Sequence, residues 1–235
     1  MKLIITESAE VAGELTTSLF KNMVAAQSPF VLFPGGRTPK VFFENLSKQK
    51  DISWGNITIM ATDERVMPIH TLKSNTGLIK KELVDKIKSN PKPKLLNPFP
   101  EYDTNIENAM TDINHILKSK LPDIAILGMG SDGHTAGIFK VEHKTNFSYY
   151  FKNPEDAFSR VAISMKTFLK IPQLVFLVLG KEKREMLTKV ISNLSSKNDV
   201  PMKYLLRNGM GVKTIICDTD AAPIGYNVGE IEVPF

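Results

Sequence analysis

The sequence predicts an α/β fold: a doubly wound, mostly parallel sheet with helices on both faces, over residues 1–235 as a single domain. Three observations predict it. Short apolar runs alternate with helix-period patterns along the chain. Most of those runs are continuously apolar, as strands buried on both faces require. With 235 residues, 42% of them hydrophobic, the chain has enough apolar material for one large core.

Residues 1–5 read as the first strand. Val11, Leu15, Leu19 and Met23 then recur every four residues, as one face of a helix. Residues 29–33 are a second β-rich run, 39–48 a helix, 57–61 a strand and 77–87 a helix. Residues 91–100 hold four prolines and read as a surface loop. Ile106, Met110, Ile113 and Leu117 mark another helix. Residues 123–127, 161–165 and 174–179 read as strands, followed by a charged helix over 181–194. Residues 213–217 read as the last strand.

Composition narrows the function classes. Charged residues make up 23% of the chain, the ordinary globular share, so disorder is not expected. The net charge is +5. The lysines are scattered, however: Lys80, Lys81, Lys86 and Lys88 alternate with Glu82 and Asp85, the pattern of solvated helix faces. No nucleic-acid partner is expected, and a mild positive excess favours an anionic small molecule. Cys217 is the single cysteine, so no intramolecular disulfide can form, which fits a reducing compartment. The apolar run before Thr6 is too short for a signal segment, and residues 174–179 fall far below the ~20 residues of a spanning helix. The expectation is a cytoplasmic protein with no membrane contact and no obligate protein partner.

The unusual residues cluster in loops after predicted strands, where ligands bind in open α/β sheets. The loop at 33–40 reads FPGGRTPK. Gly35 and Gly36 permit close backbone approach, Thr38 is a candidate N-cap, and Pro39 suits a first helical turn. The amides of such a helix start attract anions, and Arg37 adds charge. The Lys-Ser/Thr ending of a Walker A loop is absent. A second group, Thr62-Asp63-Glu64-Arg65, closes the 57–61 strand. Asp63 suits a base or an orienter, and Arg65 an oxyanion stabiliser.

The third loop places Gly128, Gly130 and Gly133 in dinucleotide-like spacing. Asp132 opposes a pyrophosphate there, and no strand ending in an acidic residue follows ~20 residues on, so that reading fails. What remains is Asp132 and His134 on a glycine-rich loop, a carboxylate beside a base that works near neutral pH. Arg160 and Lys183 are separated cations suited to completing a phosphate pocket. His70, His115, His134 and His143 show no paired zinc spacing, so no metal or other cofactor is expected. No Gly-x-Ser-x-Gly elbow is present.

Taken together, PGGRTP, ATDERVMPIHTLKSNTGLIKKEL, LPDIAILGMGSDGHTAGIF, SRVAIS and FLVLGKEKREML resemble the 6-phosphogluconolactonase family, from about residue 31 to about residue 190. The resemblance implies a doubly wound fold shared with glucosamine-6-phosphate deaminases. It implies 6-phospho-D-glucono-1,5-lactone as substrate and 6-phosphogluconate as product. It makes His134 the general base, puts Asp63 and Arg65 near the lactone, and puts Gly36, Thr38, Arg160 and Lys183 near the phosphate. Gly35, Arg37 and Gly130 are expected among the substrate- and phosphate-binding residues of the same loops, Asp132 or Asp63 would orient the His or the water, and Arg37 stands where the family commonly has small residues. Rival readings are a deaminase of the same fold and a non-catalytic sugar-phosphate sensor. The deaminases carry a glutamate five residues after the loop His, where this chain has Phe139.

Overall fold

A computed structural model describes residues 1–25, 28–142, 144–152, 157–192 and 200–233. The apolar runs become strands and the helical periods between them become covers. In chain order these are β1 (Lys2–Thr6), α1 (Ala9–Val24), β2 (Phe30–Phe33), α2 (Pro39–Ser47), β3 (Thr58–Ala61), β4 (Asp63–Arg65), α3 (Asn75–Ile79), β5 (Lys94–Leu95), α4 (Ile106–Ser119), β6 (Ile124–Leu127), β7 (Ser148–Lys152), β8 (Ser159–Ile163), α5 (Met165–Phe168), β9 (Gln173–Val178), α6 (Arg184–Ser192), α7 (Pro201–Asn208), β10 (Val212–Asp218) and β11 (Gly229–Glu232).

Eight strands form the main sheet, in the order β11-β1-β10-β9-β6-β2-β3-β5. All neighbours run parallel except β11, which pairs antiparallel with β1. Every residue of β2 and β6 is buried, as expected for strands covered on both faces. The order reverses between these two strands. From β2 the chain moves to β3 and β5 on one side; from β6 it moves to β9 and β10 on the other, where β1, the first strand, and β11, the last, complete the sheet. The α/β fold class is as predicted, with the reversal in its middle.

An aromatic cluster pins the covers to β2. Phe33, its last residue, lies 5.5 Å from Phe20 of α1, and 5.7 and 5.5 Å from Phe42 and Phe43 of α2, measured between ring centroids. All four rings are buried. Tilted and edge-on pairs of this kind add to ordinary burial. They fix the point at which the Gly35–Gly36 loop leaves the sheet.

Several local expectations are corrected. The α1 stripe of Val11, Leu15, Leu19 and Met23 lies at the margin; the buried face is Ala12, Thr16, Phe20 and Val24, because the helix packs through its small residues on α2. The helix expected over 77–87 starts two residues earlier and finishes as a π-turn at Lys80–Val84. The proline-rich 91–100 loop contains the short β5. The strand expected over 161–165 is displaced to β8, because Met165 already belongs to α5. Nor is 213–217 the last strand, since β11 follows it. The helix expected over 181–194 opens as a 3₁₀ turn, Lys181–Lys183, before α6; residues 193 and 194 lie outside the described residues.

The feature absent from the sequence reading is a second sheet, antiparallel, in the order β4-β8-β7. It exists because Thr62-Asp63-Glu64-Arg65 does not end in a loop but continues as β4. Glu64 anchors it. Its buried carboxylate accepts from the amides of Arg65 (2.8 Å), Asn75 (2.8 Å) and Thr76 (2.7 Å), and from the Ser74 hydroxyl (2.9 Å). Burial pushes this carboxyl above the ordinary carboxylate range, while the four donors pull it back. Ser74 also caps α3 by accepting from the Gly77 amide at 2.9 Å. One carboxylate thus staples the start of α3 to β4. Glu64→Gln keeps the shape but turns an amide donor towards donors. We expect it to lower stability by about 1.5–3 kcal/mol. The check is a lower denaturant midpoint at unchanged slope; an unchanged midpoint would show the staple to be dispensable.

Candidate active site

The reversal between β2 and β6 sets the position of the site, because the loops leaving their carboxyl ends diverge and open a crevice. A cleft of about 1110 Å³ lies there. It is lined by the loops after β2, β3, β6 and β9, and thus by Gly35, Gly36, Arg37, Thr38, Asp63, Arg65, Gly130, His134, Arg160 and Lys183. Of the sequence-predicted site residues only Asp132 does not line it, and Asp132 reaches it through His134.

His134 Nδ1 and Asp132 Oδ1 are 2.6 Å apart, and the same oxygen accepts from the His134 amide at 3.1 Å. A carboxylate can only accept, so Nδ1 carries the proton and Nε2 presents a lone pair. Partial burial works against the charge of Asp132. The hydrogen bonds that the carboxylate accepts from His134, and the attraction of that ring whenever it is protonated, outweigh this and hold the carboxyl below the usual range. The contact is therefore complete above the ordinary carboxylate range and is lost only as pH falls through the lowered value. The loop is braced from both ends: the Gly130 amide donates to the His134 carbonyl (2.8 Å), and the Met202 amide of α7 donates to the Gly133 carbonyl (3.1 Å). A side chain at Gly130 would collide with the Asp132–His134 pair.

Across the cleft, the β4–β8 ladder sets Arg65 opposite Arg160 and Asp63 opposite Ala162. Asp63 is not a free base. Its Oδ1 accepts from the Thr62 hydroxyl (3.0 Å) and its Oδ2 from Arg160 Nη1 (3.3 Å), in a pair that is 9% and 12% exposed. Asp63 orients Arg160, and Asp132 orients His134. Arg65 Nη1 donates to the Lys73 carbonyl (2.5 Å) and to Asn75 Oδ1 (3.3 Å), which leaves Nε and Nη2 for a ligand.

Asn75 is the residue that the sequence reading did not single out. It lines the cleft, accepts from Arg65, and donates from Nδ2 to the Asp63 carbonyl (2.8 Å). It also packs against Gly35 so closely that a Cβ there would collide with it. The signal was present: Ser74 directly before a helical pattern is an N-cap, and an N-cap beside a strand-end cleft delivers the next side chain into it.

The loop after β2 supplies amides. Thr38 has helical dihedrals and no capping hydrogen bond, so its predicted N-cap role is corrected. A capping residue needs an extended backbone to turn its hydroxyl onto the amides of the first turn, and Thr38 is already helical. The amides of Gly36, Arg37 and Thr38 have no backbone acceptor among the described residues. On the far side, Asp218 at the end of β10 accepts from the amides of Gly180 (3.1 Å) and Ala221 (2.8 Å), and the turn after Gly180 carries Lys183. Neither Arg37 nor Lys183 enters an ion pair among the described residues. The cleft holds five cations (Arg37, Lys40, Arg65, Arg160 and Lys183) against three carboxylates (Asp63, Glu182 and Asp218), so its ionisable lining is net positive. His70 and His115 line no part of it, and His143 lies outside the described residues. Among the described residues no three His, Cys, Asp or Glu side chains gather as metal ligands, and no helix is long and apolar enough to cross a membrane.

Known proteins resemble this chain in sequence and in fold. Residues 6–215 match the family model described as glucosamine-6-phosphate isomerases/6-phosphogluconolactonase. A 6-phosphogluconolactonase of Thermotoga maritima is 31% identical over 189 residues, covering 78% of this chain and 84% of that protein. A solved structure of 6-phosphogluconolactonase from Thermotoga maritima superposes with a TM-score of 0.71 at 27% identity, over 92% of this chain and 97% of that one. A monomeric glucosamine-6-phosphate deaminase superposes with a TM-score of 0.83 at 18% identity, over 94% and 98%, a likeness of fold. The chain therefore belongs to the glucosamine-6-phosphate isomerase/6-phosphogluconolactonase family.

Proposed function

We propose that this protein hydrolyses 6-phospho-D-glucono-1,5-lactone to 6-phosphogluconate, with His134 as general base. The observation that carries the reading is the 2.6 Å contact of His134 Nδ1 with Asp132, which assigns the proton to Nδ1 and leaves Nε2, without a partner among the described residues, as the acceptor in a net positive cleft. A lactone is an activated ester, so water can attack it without a covalent enzyme intermediate. Nε2 takes one proton from water as its oxygen bonds to C1. The carbonyl oxygen becomes an oxyanion, which Arg65 stabilises with its uncommitted donors. Collapse of the tetrahedral species breaks the bond from C1 to the ring oxygen, and the imidazolium returns its proton to that oxygen. The product acid then ionises.

The phosphate end of the substrate suits the loops after β2 and β9, which both line the cleft. The amides of Gly36, Arg37 and Thr38, the Thr38 hydroxyl and the cations Arg37 and Lys183, none of them paired among the described residues, offer donors and charge for a dianion. Arg160, held by Asp63 and opposite Arg65 in the β4–β8 ladder, adds a further cation to the same cleft. A remote phosphate held in this way supplies binding energy that positions C1. The cytoplasmic setting expected from the sequence belongs to this reading.

The rival within the family is deamination of glucosamine 6-phosphate. Phe139, which lines the cleft, cannot relay the protons that ring opening and isomerisation need. We expect no enzyme-dependent ammonia from that sugar; release at rates comparable to lactone hydrolysis would overturn the assignment.

Two measurements test the mechanism. His134→Asn keeps size and some hydrogen bonding but removes the base. Its kcat for lactone opening, corrected for the spontaneous reaction, should fall about 10²–10⁴-fold while product affinity changes little. A folded variant with near-normal kcat would remove His134 from the chemistry. Lys183→Ala should chiefly raise KM, and unphosphorylated gluconolactone should be a much poorer substrate of the intact enzyme. Equal efficiency on both lactones would sink the phosphate assignment.

A further inference from the structure

The hydrogen bond to Asp132 fixes one point of the His134 ring but not its plane. The Asp132 side chain is 59% exposed and the His134 side chain 35%, so this single contact, open to water, leaves the imidazole able to swing about it. A second group meets the ring. Phe139 stacks on it with centroids 4.5 Å apart and planes 31° apart.

The chain brings Phe139 there by a tight turn. Thr135 and Ile138 exchange backbone hydrogen bonds (3.3 and 2.8 Å) around Ala136 and Gly137, whose φ values are +53° and +70°. Two central residues with positive φ are the pattern of a type I′ turn. A side chain at Gly137 would also press on Asp63, with a Cβ only 2.8 Å from Asp63 Cβ. The turn therefore folds residue 139 back over residue 134 and seats the loop on β4.

Phe139 is itself backed by the second sheet. It packs edge-on against Phe151 at 6.0 Å, and Phe151 lies 5.3 Å from Tyr149. The Tyr149 hydroxyl donates to the Gly137 carbonyl at 3.3 Å. Burial first, and then the charges of Asp63 and Glu142, push the Tyr149 phenol above its ordinary range, so it stays a donor. Register explains the arrangement. Tyr149 lies opposite Ala162, which lies opposite Asp63; Phe151 lies opposite Arg160, which lies opposite Arg65. Residues directly opposite share a face. The face that holds Asp63, Arg160 and Arg65 therefore also carries the two rings that support Phe139.

We propose that Phe139, backed by Phe151 and Tyr149, is a positioning residue that fixes the plane of the His134 imidazole and so keeps Nε2 aimed into the cleft. The kinetic part rests on the lactone-hydrolysis reading; the geometric part does not. Phe139→Leu retains an apolar side chain and removes the stack. In full-length protein, ¹³C relaxation at His134 Cε1, assigned by its absence in His134→Asn, should report a more mobile ring. Its kcat on the phosphorylated lactone should fall roughly tenfold to a hundredfold, as for a misplaced catalytic group, with KM nearly unchanged. Phe139→Tyr should restore ring order and kcat. Phe151→Leu should show the same pattern more weakly, and it decides the matter if Phe139→Leu does not fold. A ring as ordered without the stack overturns the proposal. So does a mobile ring with unchanged kcat, or a rise in KM alone. A wild-type protein that opens no lactone, but whose ring order depends on Phe139, overturns only the functional reading and upholds the positioning role.

Discussion

The site depends on the pairing of β2 with β6. Only Val31 with Ile124 and Leu32 with Ala125 form that register, and all four residues are buried. Asp123 locks the entrance of the pair: its carboxylate accepts from the Phe30 amide at 2.7 Å, and its amide donates to the Phe30 carbonyl at 2.8 Å. Everything chemical follows from which strands are neighbours here. β2 ends in the glycine loop whose amides are free, and β6 ends in the loop that carries the base. Parallel strands deliver both loops to the same end of the sheet. An antiparallel pairing would have sent them to opposite ends.

The second sheet solves a different problem. A parallel sheet positions backbone amides well at strand ends, but it aims few side chains across a crevice. The β4-β8-β7 sheet lies antiparallel beside the cleft, and alternation puts every second side chain on one face. Asp63, Arg65 and Arg160 share that face. Glu64, between Asp63 and Arg65, points the other way and is consumed by the start of α3. A run of three polar residues thus divides its work by parity, the odd-numbered ones serving the cleft and the even-numbered one serving the fold.

The same division explains what could be read in the sequence. β1, β2, β6, β9 and β10 were legible because burial on both faces writes an unbroken apolar run. The chemical loops were legible because glycine and adjacent charges at strand ends are conspicuous. β4 was not legible as a strand, because its composition, Asp-Glu-Arg, disfavours strands and its stability comes from distant partners. β7 hid for a different reason: its Tyr-Tyr-Phe suits a strand, but it lies in a polar stretch with no long apolar run to mark it. α7 escaped because Pro201 opens a short helix with little period to read. The partnership of Asp63 with Arg160 joins residues 97 positions apart and leaves no local trace.

The ends of the main sheet bear on how the protein behaves in a crowded solution. A strand at a sheet edge offers unpaired amides and carbonyls to any passing chain. One edge here is β5, two residues long in a segment punctuated by Pro91, Pro93, Pro98 and Pro100. The other is β11, four residues long, carrying Glu230 and Glu232 with half or more of each side chain in water. Brevity and proline guard one flank, brevity and negative charge the other. An incoming strand finds too short a ladder at either end, so the eight-stranded stack resists growing by addition of copies of itself.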